Sequence, residues 1–263
     1  MSMKIHFLSL VGVDYDLDLF PEWAEYYLSQ KLDSYTVFLH RENGDISRNI
    51  ISDYKNAGFD VKTIDGPFSC GCNRSAYFRN FADNLPEGDF LITADADEFQ
   101  AMDNGSRIDY RDMLSRYDVL WGLLEDRYAE TLENCYHDPF KQYTLIEEYT
   151  GEPIKKLSIP HLGNGPKTDM VRTKILAAPA GAPVEYKGSH ILKYVPGNYR
   201  IFMDCKVIHF AWRENAARKL ALKPYFPKEN LEAMFKNKVP LELINVYDTV
   251  AKMMGNAEYD MEN

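Results

Sequence analysis

No run of apolar residues in the 263-residue chain reaches the roughly 18 that a membrane-crossing helix needs. Residues Met1 to Lys4 lead straight into an apolar stretch that ends at Asp14, without the cleavage pattern of a secretory leader. A cytoplasmic protein is therefore expected. Cysteine is scarce, at four residues: Cys70, Cys72, Cys135 and Cys205. Cys70-Gly71-Cys72 lacks zinc-ligand spacing and no second pair completes a set, which fits thiols used as small core residues in a reducing compartment. Glycine and proline are too few, at 15 and 13, for collagen or low-complexity chain. Positive charge is also short, with 30 Lys and Arg against 40 Asp and Glu for a net charge of −10, and this argues against a nucleic-acid binder. Walker loop, dinucleotide fingerprint, G-x-S-x-G and H-E-x-x-H are all missing, and the six histidines are scattered.

What is present is an alternation. Ile5 to Val11 reads as a mostly buried strand, and Pro21 stands where a first helical turn would place it, with Glu22 and Glu25 behind it. Trp23, Tyr26 and Tyr27 follow at helical spacing as a core-packing stripe. Tyr35 to His40 is a second strand, Ser47 to Ala57 a helix stopped by Gly58, and Asp60 to Ile64 a third strand. Ser75 to Leu85 reads as a helix, Asp89 to Ala94 as a fourth strand, Ile108 to Ser115 as a helix and Asp118 to Leu124 as a fifth strand. Strands and helices in this order predict an α/β fold with a mainly parallel sheet covered by helices. Prolines and glycines punctuate 130–190, where short strands such as Lys174-Ile175-Leu176 are expected; Tyr199 to Phe210 regains strand character. Helices are expected over Glu214 to Lys223 and Lys228 to Lys236. With neither repeat nor long linker, one domain is expected, its second half elaborated.

Charge is uneven along the chain. Residues 81–133 hold 14 Asp and Glu against 4 Arg, whereas 211–240 hold 7 Lys and Arg against 3 Glu. An acidic stretch can hold a cation. The basic stretch is too dilute to argue for an anionic membrane, though peripheral contact stays open.

Asp95 and Asp97 flank Ala96 directly after the fourth strand. Carboxylates this close repel, and a divalent cation relieves the repulsion while bridging to phosphate oxygens; Mg²⁺ or Mn²⁺ suits such oxygen ligands. Glu98 either completes the shell or orients a substrate hydroxyl. A calcium loop is excluded by Gln100 and Ser106, which stand where it needs Gly and Glu. In parallel α/β sheets ligands gather at the carboxyl ends of strands, so Asp95 and Asp97, and Glu125 and Asp126 after the fifth strand, fall where a site is expected. Strand alternation turns Glu125 and Asp126 to opposite faces, so one at most enters a pocket.

Six segments carry a resemblance: Leu19 to Leu28, including Glu22-Trp23 and Tyr26; Phe78-Arg79-Asn80, with Asn80 15 residues before Asp95; Thr93 to Phe99, as D-x-D-E-F; Gly122 to Arg127, as G-x-x-x-D-R; Gly188-Ser189-His190; and Val207 to Arg213, as H-F-x-W-R. In order and spacing over about residues 5–220 the chain resembles the bacterial family-2-like group of GT-A-fold glycosyltransferases, which is also similar to the family-92 enzymes. It departs from the group's pattern at Tyr27, where His is frequent, at Ala211, where Lys is common, and at Gly71, displaced from the A-R-N segment.

The resemblance implies a single GT-A-type domain over 1–263, with a nucleotide-sugar-binding half over 1–128, an acceptor-side half over 129–225 and a C-terminal helical extension over 226–263. It implies transfer of a sugar from a nucleotide diphosphate to a glycan or small hydroxyl acceptor, with inversion, in surface-glycan synthesis at the inner face of the membrane. Asp95, Asp97 and His209 become metal ligands for Mn²⁺ or Mg²⁺, Asp95 with the ribose as an alternative partner and His209 with a core role as its rival. Arg41, Asp65, Arg74, Asn80 and Arg213 join Asp95 on the donor side, Arg213 and Lys219 facing the leaving diphosphate. Asp126 is the first choice for the base that takes the acceptor proton, then Glu125, then Glu98; a structural Asp126–Arg127 pair is the competing reading. His190 and Trp212 are expected at the acceptor, with Trp121 and Tyr128 as further stacking residues. Two other functions compete: a non-catalytic nucleotide- or glycan-binding module of the same fold, and a metal-dependent α/β phosphohydrolase or nucleotidyltransferase.

Overall fold

The computed structural model describes residues 3–41, 44–64, 72–128, 135–147, 173–182, 184–185, 191–192, 199–210 and 213. Strand β1 (Ile5–Gly12) leads through a short 3-10 turn (Leu17–Leu19) into helix α1 (Phe20–Leu28). β2 (Ser34–His40), α2 (Arg48–Ala57), β3 (Asp60–Ile64), α3 (Cys72–Asp83) and β4 (Phe90–Asp95) complete the alternation. β5 (Glu98–Met102), α4 (Tyr110–Arg116) and β6 (Val119–Tyr128) follow, then α5 (Pro139–Gln142), β7 (Leu145–Glu147), β8 (Thr173–Pro179), β9 (Val184–Glu185), β10 (Ile191–Leu192) and β11 (Ile201–His209).

Local chemistry sets the helix ends. The Ser47 hydroxyl accepts from the Asn49 N–H at the start of α2, and Gly58 closes that helix at φ 120°, a conformation a side chain would resist. Asp109 caps α4 by accepting from the Asp112 N–H at 3.1 Å. Pro21 sits in the first turn of α1 as expected.

Nine strands form the main sheet in the order β3-β2-β1-β4-β8-β6-β11-β5, with β7 on β6; β9 and β10 pair separately. The β3-β2, β2-β1, β1-β4 and β6-β11 pairs are parallel. β8 runs antiparallel between β4 and β6, and β5 antiparallel to β11. This is a mixed, largely parallel central sheet flanked by helices. β1 shows why its sequence is almost wholly apolar. Ile5, Phe7 and Val11 enter one buried cluster, Leu8 and Leu10 another on the opposite face. The first cluster packs under α1 and α4 through Trp23, Tyr27 and Met113, the second under α3 through Phe78 and Ala82. Each fully buried side chain of this size contributes about 1.5–3 kcal/mol.

Three findings depart from the sequence reading. β5 is a strand where none was assigned, β6 runs on to Tyr128, and α3 starts at Cys72 rather than Ser75. Trp121 is buried in the second cluster, so it is core rather than a sugar-stacking residue. Cys135 and Cys205 are buried free thiols, and burial pushes them up to about 11 and about 12, which leaves them unreactive packing groups. The helices expected within 214–236 and the extension over 226–263 lie outside the described residues. Among the described residues no helix is long and apolar enough to cross a membrane.

Candidate functional site

The site forms where β4 ends. Asp95 closes that strand, Ala96 and Asp97 make a two-residue turn, and Glu98 opens β5. Helix α1 fixes this turn through its aromatic stripe. The Trp23 indole N–H donates to the Asp95 carbonyl at 3.1 Å, the Tyr27 hydroxyl to the Glu98 carbonyl at 3.0 Å and the Tyr26 hydroxyl to the Gln100 carbonyl at 2.5 Å. Gln100 is buried, and its side chain bridges the Thr93 carbonyl and the Tyr110 hydroxyl. From the other side the Phe210 N–H donates to the Asp97 carbonyl at 2.8 Å. A turn held at this many backbone points presents its carboxylates in fixed positions.

β11 brings His209 to the turn. In the ladders Glu98 is the partner of His209, and His209 the partner of Asp126, so three chemistry-bearing residues share one row across β5, β11 and β6. One oxygen each of Asp97 and Glu98 and one ring nitrogen of His209 lie within 4.8 Å of one another. His209 Nε2 is 3.6 Å from an Asp97 oxygen. Two carboxylates and an imidazole within this reach fit a divalent transition ion such as Mn²⁺, which accepts mixed oxygen and nitrogen donors.

Two buried cations flank the turn. The Lys174 ammonium, from β8, lies 2.6 Å from Asp95 Oδ2 and also pairs with Glu98 Oε1. Glu98 is fully buried, and its other oxygen accepts the Asp95 N–H at 3.2 Å. Burial raises the Glu98 pKa above the ordinary carboxylate value against the opposing pull of Lys174. The Arg213 guanidinium is 0% exposed. It donates to the Phe210 carbonyl at 2.7 Å, to Asp16 at 3.1 Å and to Asp18, and stands 4.0 Å from Asp97. Burial works against its charge, but Asp16, Asp18 and Asp97 outweigh burial and hold its pKa above the usual value. Asp18 is raised, chiefly by burial, although Arg213 and the Cys135 N–H oppose the shift. Among the described residues, five carboxylates around the turn (Asp16, Asp18, Asp95, Asp97 and Glu98) face two cations, Lys174 and Arg213.

The sequence-predicted residues divide accordingly. Asp97 and His209 come together with Glu98 as the third member of the cluster, while Asp95 and Glu98 both pair with Lys174. Glu98 is buried against Lys174, which removes it from the candidate bases. Glu125 is also corrected. Burial would raise it, but Lys206 at 2.9 Å and Arg127 at 2.7 Å hold it below the usual carboxylate value, making it a poor proton acceptor. That pairing also means Arg127 engages Glu125. Asp126 sits on the row with His209 by its backbone; its side chain lies outside the described residues. Arg213 is already engaged by carboxylates of the chain itself. It is a buried brace between the β1–α1 loop and the end of β11.

On the donor side, Arg41 is partly exposed at the end of β2 and pairs with Asp14 at 3.0 Å. Asn80 is exposed on α3, accepting from the Asn84 amide through its carbonyl at 2.6 Å. Arg74 belongs to α3 with its side chain outside the described residues, as are Asp65, His190, Trp212 and Lys219 altogether. Asp16 and Lys174 were missed by the sequence reading. For Lys174 the signal was a lysine leading an apolar run, Ile175-Leu176-Ala177, in a segment read only as a short strand.

No family model matches the chain, and no curated protein matches it. Among solved structures it is similar to HddC from Yersinia pseudotuberculosis, at 13% identity and a TM-score of 0.39, over 82% of this chain and 97% of that one. Similarity to S. aureus TarS is at 13% identity and a TM-score of 0.44, over 97% of this chain and 49% of TarS. A 1–349 form of TarS in complex with UDP-GlcNAc aligns at 14% identity and a TM-score of 0.43, over 97% of this chain and 81% of that one.

Proposed function

We propose that the chain is a metal-dependent glycosyltransferase that moves a sugar from a nucleotide diphosphate to a hydroxyl acceptor, with inversion, in surface-glycan synthesis. The observation that carries the reading is the convergence of Asp97, Glu98 and His209 at the carboxyl end of β4, in an acidic site on a largely parallel sheet. These three residues would hold the ion, which when bound supplies positive charge against the departing diphosphate. Lys174 adds a fixed cation on the same side.

Transfer needs a base to take the acceptor proton as its oxygen bonds to the anomeric carbon and the diphosphate leaves with the bonding pair. Asp126 is the proposed base, since its backbone shares the row of His209 while Glu125 is committed to Lys206 and Arg127. Arg41, Asp65, Arg74 and Asn80 are proposed for the nucleotide side, within 1–128, and His190 and Trp212 for the acceptor side, within 129–225. The setting proposed is the cytoplasm, at the inner face of a membrane.

Calorimetric titration with UDP, GDP, CDP and dTDP, each with and without Mn²⁺, tests the reading. One nucleotide binding in a way that needs both Mn²⁺ and Asp97, with binding lost in Asp97→Ala, is the expected result. Binding without sugar transfer or donor hydrolysis would turn the reading into a binding module. Binding of none, with phosphate release from simple esters, would replace it by a phosphohydrolase.

A further inference from the structure

We propose that Lys174 is the resident counter-cation of the acidic turn: by pairing with both Asp95 and Glu98, its ammonium limits how tightly a divalent ion binds Asp97, Glu98 and His209. The inference rests on the metal-site reading above and deepens it.

Lysine is seldom buried, because removing an ammonium from water is costly unless a carboxylate lies beside it. Lys174 is 5% exposed, and the residues after it on β8, Ile175 to Ala178, are all buried and apolar. β8 runs antiparallel between β4 and β6, and Lys174 lies opposite Gly122 on β6, three residues beyond the last β4–β8 pair, Ile92 with Ala177. Its ammonium meets Asp95 at 2.6 Å and also Glu98, so one positive charge joins the two ends of the turn whose middle carries Asp97.

Two consequences follow from charge alone. Without an ion, Asp95 and Glu98 are already drawn together, so the turn keeps its shape while it waits. With an ion, the ammonium contests Glu98 and repels the incoming charge at short range in a poorly screened site. The retained positive charge also makes the site more receptive to an anion such as a diphosphate than a bare cluster of carboxylates would be.

The test is Mn²⁺ binding to the full chain without nucleotide, followed by calorimetry and by the electron paramagnetic resonance signal of free Mn²⁺. Wild type, Asp97→Ala and Lys174→Met are compared, methionine preserving length without charge. The expected result is Mn²⁺ binding by Lys174→Met about tenfold or more tighter than by wild type. Equal or weaker binding by the variant, with wild type still binding through Asp97, would overturn the role of Lys174 and leave the metal site standing. Binding by neither protein would overturn both. Should Lys174→Met fail to fold, the double variant Lys174→Met/Asp95→Asn removes the lysine together with one of its two paired carboxylates. It is expected to bind Mn²⁺ tighter than Asp95→Asn alone, and equal or weaker binding overturns the proposal.

Discussion

Lys174 and Arg213 stand on either side of one turn, both buried, both paired with aspartate, and they are built for different work. Lys174 comes from a strand inside the sheet and pairs with Asp95 and Glu98, within the turn itself. Arg213 lies just beyond β11 and spends its fork on Asp16 and Asp18, far away in sequence, reaching Asp97 only at 4.0 Å. A guanidinium holds two carboxylates at set angles and keeps its charge, which suits a brace between loops; an ammonium is a point charge whose partners can be exchanged. The difference teaches that a buried cation beside an acidic site is not by itself a phosphate-binding group. What matters is which carboxylates it has already engaged.

The largest effect is expected where the brace is removed. Arg213→Met leaves Asp16 and Asp18 buried without their partner, at a cost of about 3–5 kcal/mol, and Mn²⁺ should not restore the loss. Chemical denaturation with and without the ion measures this. Lys174→Met leaves Glu98 buried and Asp95 partly open to water without their cation, at a cost of about 3 kcal/mol, and here saturating Mn²⁺ should recover most of the loss. Equal behaviour of the two variants would erase the contrast between brace and counter-cation. Next comes His209→Gln, expected to weaken Mn²⁺ binding about tenfold or more while moving stability by less than about 1 kcal/mol. A large stability loss without a change in ion binding would assign His209 to the core.

The smallest effect concerns Glu125, whose pairs with Lys206 and Arg127 outweigh burial and depress its folded-state pKa below the ordinary glutamate value of 4.5. For a depressed carboxylate the stabilisation is present above the unfolded value and is lost as pH falls through the folded one. Glu125→Gln should therefore lower stability at neutral pH and flatten its decline below about pH 4.5, with a change of order 1 kcal/mol in urea melts taken at several pH values. Retention of the full acid slope would show that other carboxylates carry it.

Legibility from sequence followed the same divide between local and distant chemistry. β1 to β4 were readable because apolar runs, Pro21 and Gly58 act on their neighbours, and β3 falls on the expected residues, Asp60 to Ile64. β5 was missed since Glu98 and Gln100 look like solvent-facing residues, and only the finished fold supplies the partners that bury them, Lys174, Thr93 and Tyr110. Asp97 and His209 were visible through a motif and a strand end. The pairing of Asp95 and Glu98 with Lys174, 79 residues from Asp95, is announced by no local pattern. Likewise the Trp23 and Tyr27 stripe was legible as core, whereas its hydrogen bonds to the turn were not.

β11 lies between β6 and β5, so a strand made late in synthesis is wedged between two made early. On the ribosome the acidic turn emerges about a hundred residues before His209, at roughly 5–20 residues per second, and β5 must wait for the partner it pairs with. During those seconds the turn offers its carboxylates without the imidazole of His209. The three-ligand cluster exists only after the sheet has closed around β11, so capture of an ion through all three ligands marks a chain that has been made past His209 and has folded there.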